Sequence, residues 1–230
     1  MGKRERLKRT EMLIGDKGIE NLAGAHVAVF GLGGVGGSVV EGLARSGVGK
    51  LTLIDGDIVD ESNLNRQIIA TYETLGESKV DVAKARVHSL APECKVDVYK
   101  QFVLPGEFGE IGDFKRFDFV VDAIDTVVGK LAIIKAAKES EVPVISSMGT
   151  GNKLNPEMFE IDDISRTKVC PLARVMRKKL KEMGLSGIAA LYSTEVPIKT
   201  GSPTPGSMSY VPPIAGLMIS GYVIRNLLKN

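Results

Sequence analysis

The apolar positions of this chain fall into short continuous runs, separated by stretches in which they recur at helical spacing. His26-Val-Ala-Val-Phe30 is the first run and Leu51-Thr-Leu-Ile54 the second. Between them Val39, Val40, Leu43 and Ala44 share one helical face, which predicts a βαβ unit. Val80, Ala83, Val87 and Leu90 mark a second helix. Ser78 reads as its N-cap, with Asp81 as the capping-box partner. Lys95–Tyr99 alternates like a strand. Residues 117–123 and 143–147 read as apolar strands around a helix over 127–140. Apolar strands alternating with helices predict an α/β, Rossmann-like, mainly parallel sheet with helices on both faces. After Gly149-Thr-Gly151 the pattern changes. A short strand over 158–161, an amphipathic helix over 172–183, a breaker-rich loop over 201–207 and an apolar closing helix over 214–228 follow. The expected division is a larger region over 1–151 and a smaller extension over 152–230, continuous with the same domain.

Composition narrows the classes. The chain has 230 residues, 43% of them hydrophobic and 25% charged, enough for one α/β domain with a sizeable core. A net charge of +2 creates no global field, so a nucleic-acid partner needs a local basic patch. The two cysteines, Cys94 and Cys170, include no CxxC, which argues against a zinc site or a disulfide scaffold. The basic segment 1–9 lacks the apolar run of a signal peptide. The last apolar stretch is interrupted by Pro212, Pro213, Ser220, Arg225 and Asn226, so no membrane span is expected. A reducing cytoplasm is the expected setting.

The candidate chemistry starts at Gly31-x-Gly33-Gly34-x-Gly36, directly after the first strand and opening a helix. Such a turn places backbone amides and a helix N-terminus around an anion. Asp55 ends the second strand, where a ribose-hydroxyl partner belongs. An NAD-dependent oxidoreductase would show both features. The next residues do not suit one: Asp57, then Ser62-Asn63-Leu64-Asn65-Arg66-Gln67, form a polar stretch ending in a guanidinium that matches phosphate oxygens. Lys79 opens the following helix, either as a surface lysine or as a second phosphate ligand. Asp122, Asp125 and Thr126 close the fourth strand, at the edge where ligands of open parallel sheets bind. Carboxylates beside a triphosphate need a cation between them, so Asp125 is assigned to Mg²⁺, its alternative being a helix cap. Attack of a carboxylate on the α-phosphate builds negative charge that such cations stabilise.

In this order and spacing, these motifs resemble the ubiquitin-activating-like superfamily, which includes adenylyltransferases of the molybdopterin and thiamine sulfur carriers. The resemblance covers about two thirds of the chain. It implies that Gly34, Asp55, residues 62–66, Lys79 and Asp125 bind ATP·Mg²⁺. It further implies a homodimer in which Arg9 reaches the partner's ATP, and a monovalent cation near the site. Sulfur-carrier activators usually hold zinc on two CxxC pairs, which this chain lacks. Cys94 reads as structural; Cys170 is either a bystander or an acyl-accepting nucleophile.

The C-terminal segments Lys168-Val-Cys-Pro-Leu-Ala-Arg and Tyr192-Ser-Thr-Glu195 resemble the tRNA threonylcarbamoyladenosine dehydratase subfamily. That resemblance implies adenylation of the threonyl carboxylate of the modified base, followed by ring closure with loss of AMP. On a helical wheel Leu172, Val175, Met176, Leu180 and Met183 share one face. Arg174, Arg177, Lys178 and Lys181 share the other. With Arg166 and Lys168 they form a cationic ridge suited to an RNA backbone, or simply a solvated helix face. Ser193, Thr194 and Glu195 either line the substrate pocket or are satisfied locally. Activation of a carrier protein ending in Gly-Gly, with a sulfur donor or the carrier as partner, is the alternative, and a non-catalytic nucleotide-binding regulator is a further one.

Overall fold

The structure, a computed structural model, describes residues 3–229; the first two residues of the basic N-terminal segment lie outside them. Strands β1 (His26–Phe30), β2 (Lys50–Ile54), β3 (Lys95–Tyr99), β4 (Phe119–Asp122), β5 (Val144–Ser147), β6 (Phe159–Asp163) and β7 (Ala189–Ser193) form one sheet. Its order is β3-β2-β1-β4-β5-β7-β6. Every pairing is parallel except β6 with β7, so the C-terminal region extends the sheet through an antiparallel edge. The order reverses between β1 and β4, which leaves a crevice at the carboxyl ends of those two strands.

Two apolar cores explain the apolar strands. On one face α2 (Gly34–Ser46), α3 (Lys79–Leu90) and α6 (Val211–Leu227) cover Val27, Val29, Leu51, Leu53 and Val121. On the other, α4 (Val127–Glu139) and α5 (Pro171–Glu182) cover Ala28, Phe30, Ile54, Val120 and Ala190. The closing helix packs face to face on α2. A Cβ on Gly216 would lie 2.3 Å from the Val35 carbonyl, and one on Gly42 would lie 2.3 Å from the Ser220 hydroxyl. Only glycine admits that approach from either side. Pro212 and Pro213 fall in the first turn of α6, where a missing N–H costs nothing. Among the described residues no helix is long and apolar enough to cross a membrane.

Three local expectations are corrected. Helix α1 (Lys3–Gly24) occupies a segment read only as basic, with a break at Gly15, φ 69°. It docks by burying Leu7 against Gly47 and Leu22 in the core, and by an Arg6–Glu93 ion pair. Ser78 is the N-cap of α3, but no capping box forms: Asp81 instead pairs with Lys100, and Ser78 bridges Ile58 through its backbone. In α5 the buried face is Ala173, Met176 and Leu180, while Val175 and Met183 stay about 40% exposed at 42% and 41%.

One buried group at the amino end of β1 sets an acid limit. His26 donates or accepts at Thr52 Oγ1 over 2.8 Å, and burial, with Lys50 and Arg116 nearby, lowers its pKa from 6.5 to about 4. Between those values the unfolded chain takes up a proton that the native state refuses. Stability therefore falls as the pH drops from 6.5 to about 4, by at most ~3 kcal/mol. Urea unfolding across that range is expected to show this slope, and His26→Gln is expected to flatten it.

Candidate active site

The glycine turn is a meeting point for three segments at the carboxyl ends of β1, β2 and β4. Gly31 has φ 86°, and a Cβ there would lie 2.8 Å from the Ala123 carbonyl carbon and oxygen. A Cβ on Gly36 would lie 1.8 Å from the Gly31 carbonyl oxygen. These two glycines weld the turn to itself and to the 123–126 loop. Gly34 abuts Pro212 of α6 and the Arg66 backbone, at 2.9 and 3.3 Å from its would-be Cβ. Gly33 differs: the nearest atom to its would-be Cβ is Gln67 Nε2 at 3.9 Å, and it caps α2 with no side chain of its own.

Asp55 organises the second segment. Its carboxylate accepts from the Leu32 amide at 2.6 Å and from the Asp57 amide at 2.8 Å. Asp57 is exposed, and its Oδ2 lies 3.0 Å from Lys79 Nζ. The Lys79 ammonium is itself almost buried, with 7% of its side chain exposed. A hydrogen-bonded chain thus runs from Lys79 through Asp57 and Asp55 to the glycine turn.

The 60–67 segment folds on itself. Asp60 and Asn63 form a reciprocal cap, so the buried Asn63 side chain closes the turn. Ser62 is exposed, and its amide donates to Asp60 Oδ1. Its carbonyl accepts from Arg66 Nη1, which also donates to Asn65 Oδ1, both at 2.8 Å. Arg66 is half-buried beside Gly34. Gln67 is buried, and its Oε1 has no hydrogen-bond partner among the described residues. Asn65 Nδ2 donates to the Ser207 carbonyl, which ties this segment to the breaker-rich loop. That loop is also pinned to Asn152, whose amide donates to the Gly206 carbonyl and whose Oδ1 accepts from the Gly206 amide.

In the third segment Asp125 and Thr126 are exposed at the loop tip. Asp122 is corrected: its carboxylate is fully buried and faces Lys130, not the crevice. Among the described residues no three His, Cys, Asp or Glu side chains cluster as a protein-only metal site.

Three residues at this edge escaped the motif reading. The Phe102 ring, 64% exposed, covers Gly56 just after β2, at 2.8 Å from its would-be Cβ. Its signal was faint: one aromatic in a polar loop. Lys130 and Lys153 are both buried; burial lowers the Lys153 pKa, and its Nζ lies 3.5 Å from the Glu195 carbonyl.

The chain matches the ThiF family over residues 7–230. It belongs to that family. Among its ThiF-family relatives, tRNA threonylcarbamoyladenosine dehydratase of Bacillus subtilis is 40% identical, covering 96% of this chain and 94% of the relative. The crystal structure of the Escherichia coli tRNA N6-threonylcarbamoyladenosine dehydratase in complex with ATP superposes with a TM-score of 0.92 at 32% identity. It covers 98% of this chain and 95% of that one. A sulfur carrier protein adenylyltransferase of Thermus thermophilus matches less of this ThiF-family chain, 36% identical over 54% of it.

The C-terminal candidates divide. Ser193 is buried and its Oγ accepts from the Glu195 amide. Thr194 Oγ1 donates to the Met158 carbonyl. Burial would raise the Glu195 pKa, but the amides of Leu154 and Asn155 bind its carboxylate and hold the pKa below its ordinary value. All three make local hydrogen bonds. Arg177 is half-buried and donates to the Thr167 carbonyl and hydroxyl. Arg174, Lys178 and Lys181 are exposed. They line, with Arg166 and Arg177, a cleft of about 1020 Å³. That cleft sits by Asp163, the residue that pairs with the first residue of β7, so it lies at the amino end of the sheet, away from the glycine turn. Cys94 and Cys170 are both buried; burial pushes the Cys94 thiol up to about 11, so it stays protonated.

Proposed function

We propose that this chain is an ATP-dependent tRNA threonylcarbamoyladenosine dehydratase. It adenylates the threonyl carboxylate of the modified base and then closes the ring with loss of AMP. The observation that carries the reading is the open surface of Gly33 at the N-terminus of α2, where the nearest side chain to its would-be Cβ, Gln67, stays 3.9 Å away. A nucleotide fills that space: its phosphate oxygens take the turn's amides. Phe102 gives the base a flat apolar wall next to Asp55.

In this reading Lys79 and Arg66 bring positive charge to the phosphates, where charge grows on the α-phosphoryl oxygens and on departing pyrophosphate. Asp57 holds the Lys79 ammonium in place. Arg9, exposed on α1, is assigned to the ATP of a second copy in a homodimer. In the second step the urea-type group of the base attacks its own activated carbonyl. The acceptor is internal, so neither buried thiol is required. The cationic face of α5 holds the tRNA backbone by phosphate contacts, and the working compartment is the cytoplasm, where tRNA is modified.

A divalent cation fits one position. Asp125 is an exposed carboxylate at the crevice with no cluster around it, the arrangement that suits Mg²⁺ held largely by substrate phosphates and water. Bound there, the ion would supply neutralisation of pyrophosphate charge. Asp125→Ala is expected to raise the Mg²⁺ concentration for half-maximal AMP formation about tenfold or more, without changing the melting temperature. A magnesium titration checks this, and an unchanged midpoint removes the assignment.

The deciding experiment measures pyrophosphate release with ATP, comparing tRNA that carries threonylcarbamoyladenosine with unmodified tRNA and with Gly-Gly carrier proteins. Release only with the modified tRNA is the expected result. Release driven by a carrier protein would move the chain to the adenylyltransferase reading.

A further inference from the structure

The Asp122–Lys130 pair has no role in the chemistry above, and both side chains are fully buried. Asp122 ends β4 and Lys130 sits in the first full turn of α4, so the pair brackets the loop that carries Asp125 and Thr126. Lys130 Nζ lies 3.2 Å from each Asp122 oxygen and 2.7 Å from the Ser147 carbonyl at the end of β5. Ser146 Oγ donates to Asp122 Oδ2 at 2.5 Å, and the Ile124 amide donates to Oδ1 at 3.3 Å. One ammonium therefore ties together the carboxyl ends of β4 and β5 and the start of α4 and, through Asp122, the Ile124 amide of the loop.

Stability is a poor reason for this pair. Burying two charges costs several kcal/mol of desolvation, and apolar residues of the same volume often do as well or better. A cation in the first turn of α4 is also opposed by the helix dipole. What the ionic pair supplies, and an apolar one cannot, is direction: hydrogen bonds aimed from one point at three elements. The loop above is packed to match. A Cβ on Gly129 would lie 2.5 Å from Ile124 Cδ1 and 2.9 Å from Thr126 Oγ1, and Gly31 contacts the Ala123 backbone.

We propose that Lys130 is a positioning residue: through Asp122 it fixes the 123–126 loop against the glycine turn, so that Asp125 and Thr126 meet the nucleotide phosphates in one geometry. The inference rests on the adenylation reading for the phosphates but not for the loop's rigidity.

Two measurements separate those layers. In the wild-type chain, hydrogen exchange of the Ile124 amide is expected to be slow, since it is bonded to a buried carboxylate; exchange at the rate of an open loop would overturn the proposal whatever the enzyme does. The charge-free double variant Asp122→Asn/Lys130→Met then avoids the stranded charge that can unfold Lys130→Met alone. It is expected to melt near wild type, to exchange Ile124 at least tenfold faster, and to lose about tenfold or more in kcat for AMP formation with a smaller change in KM for tRNA. Wild-type exchange and wild-type kcat in the double variant would overturn it, and a double variant that no longer folds would likewise show the pair to be structural. Absence of AMP formation in the wild-type chain would instead reject the adenylation reading and leave the exchange result standing.

Discussion

Lys79→Met is expected to slow AMP formation by roughly 10²-fold or more while leaving the fold intact, the scale set by loss of one positioned donor to developing charge. The methionine keeps the buried stem of Lys79, so packing against the start of α3 survives. The ion pair it removes is weak as a stabiliser, because Asp57 is 53% exposed and solvent screens it. An almost buried ammonium aimed at an exposed carboxylate, at the mouth of a glycine turn, is better placed for a phosphate than for folding. Arg66→Ala is expected to match it: the half-buried side chain places its guanidinium in solvent-exposed hydrogen bonds to Ser62 and Asn65 of its own turn, so its loss costs little stability. Single-turnover assays with ATP and modified tRNA, run beside thermal unfolding, separate the effects. A rate within threefold of wild type would remove that residue from the phosphate site.

How far the sequence reached depends on what each residue type can signal. The βαβ unit, the parallel core and the glycine turn were legible because periodicity and glycine spacing directly express sheet burial and backbone approach. Helix α1 was not, because its buried contacts are few: Leu7 and Leu22 stand among charged residues, and Gly15 interrupts the period. The antiparallel edge was hidden too, since nothing in a five-residue strand such as β6 encodes its direction. Asp122 shows the limit at the site. A carboxylate at the end of a strand reads the same whether it faces a crevice or a buried lysine, and Lys130 lies eight residues on, across a loop whose path only the fold reveals. Asn63 and Glu195 are similar: each reads as a free polar side chain and each is consumed by backbone amides or local turns.

The double glycine also separates folding from binding, which gives a second large and opposite pair of effects. Gly36→Ala is expected to cost several kcal/mol and to abolish nucleotide binding, because its methyl would sit 1.8 Å from the Gly31 carbonyl oxygen, where backbone has to move. That movement would carry Gly31 away from Ala123 and open the turn on both sides. Gly33→Ala is expected to leave the melting temperature within a few degrees of wild type. Gly33 has φ −70°, which alanine adopts freely, and the nearest protein atom is 3.9 Å away. Its methyl would project instead into the space where a phosphate approaches the N-terminus of α2, and ATP affinity is expected to fall at least tenfold. Calorimetric titration with ATP and thermal unfolding of both variants check the pair. The informative result is the contrast, since equal losses of stability would mean that the turn has no open side, and undiminished ATP binding in Gly33→Ala would place the nucleotide elsewhere. An anion-binding turn needs this asymmetry: one glycine whose missing side chain makes room for the protein's own backbone, and another whose missing side chain makes room for the ligand.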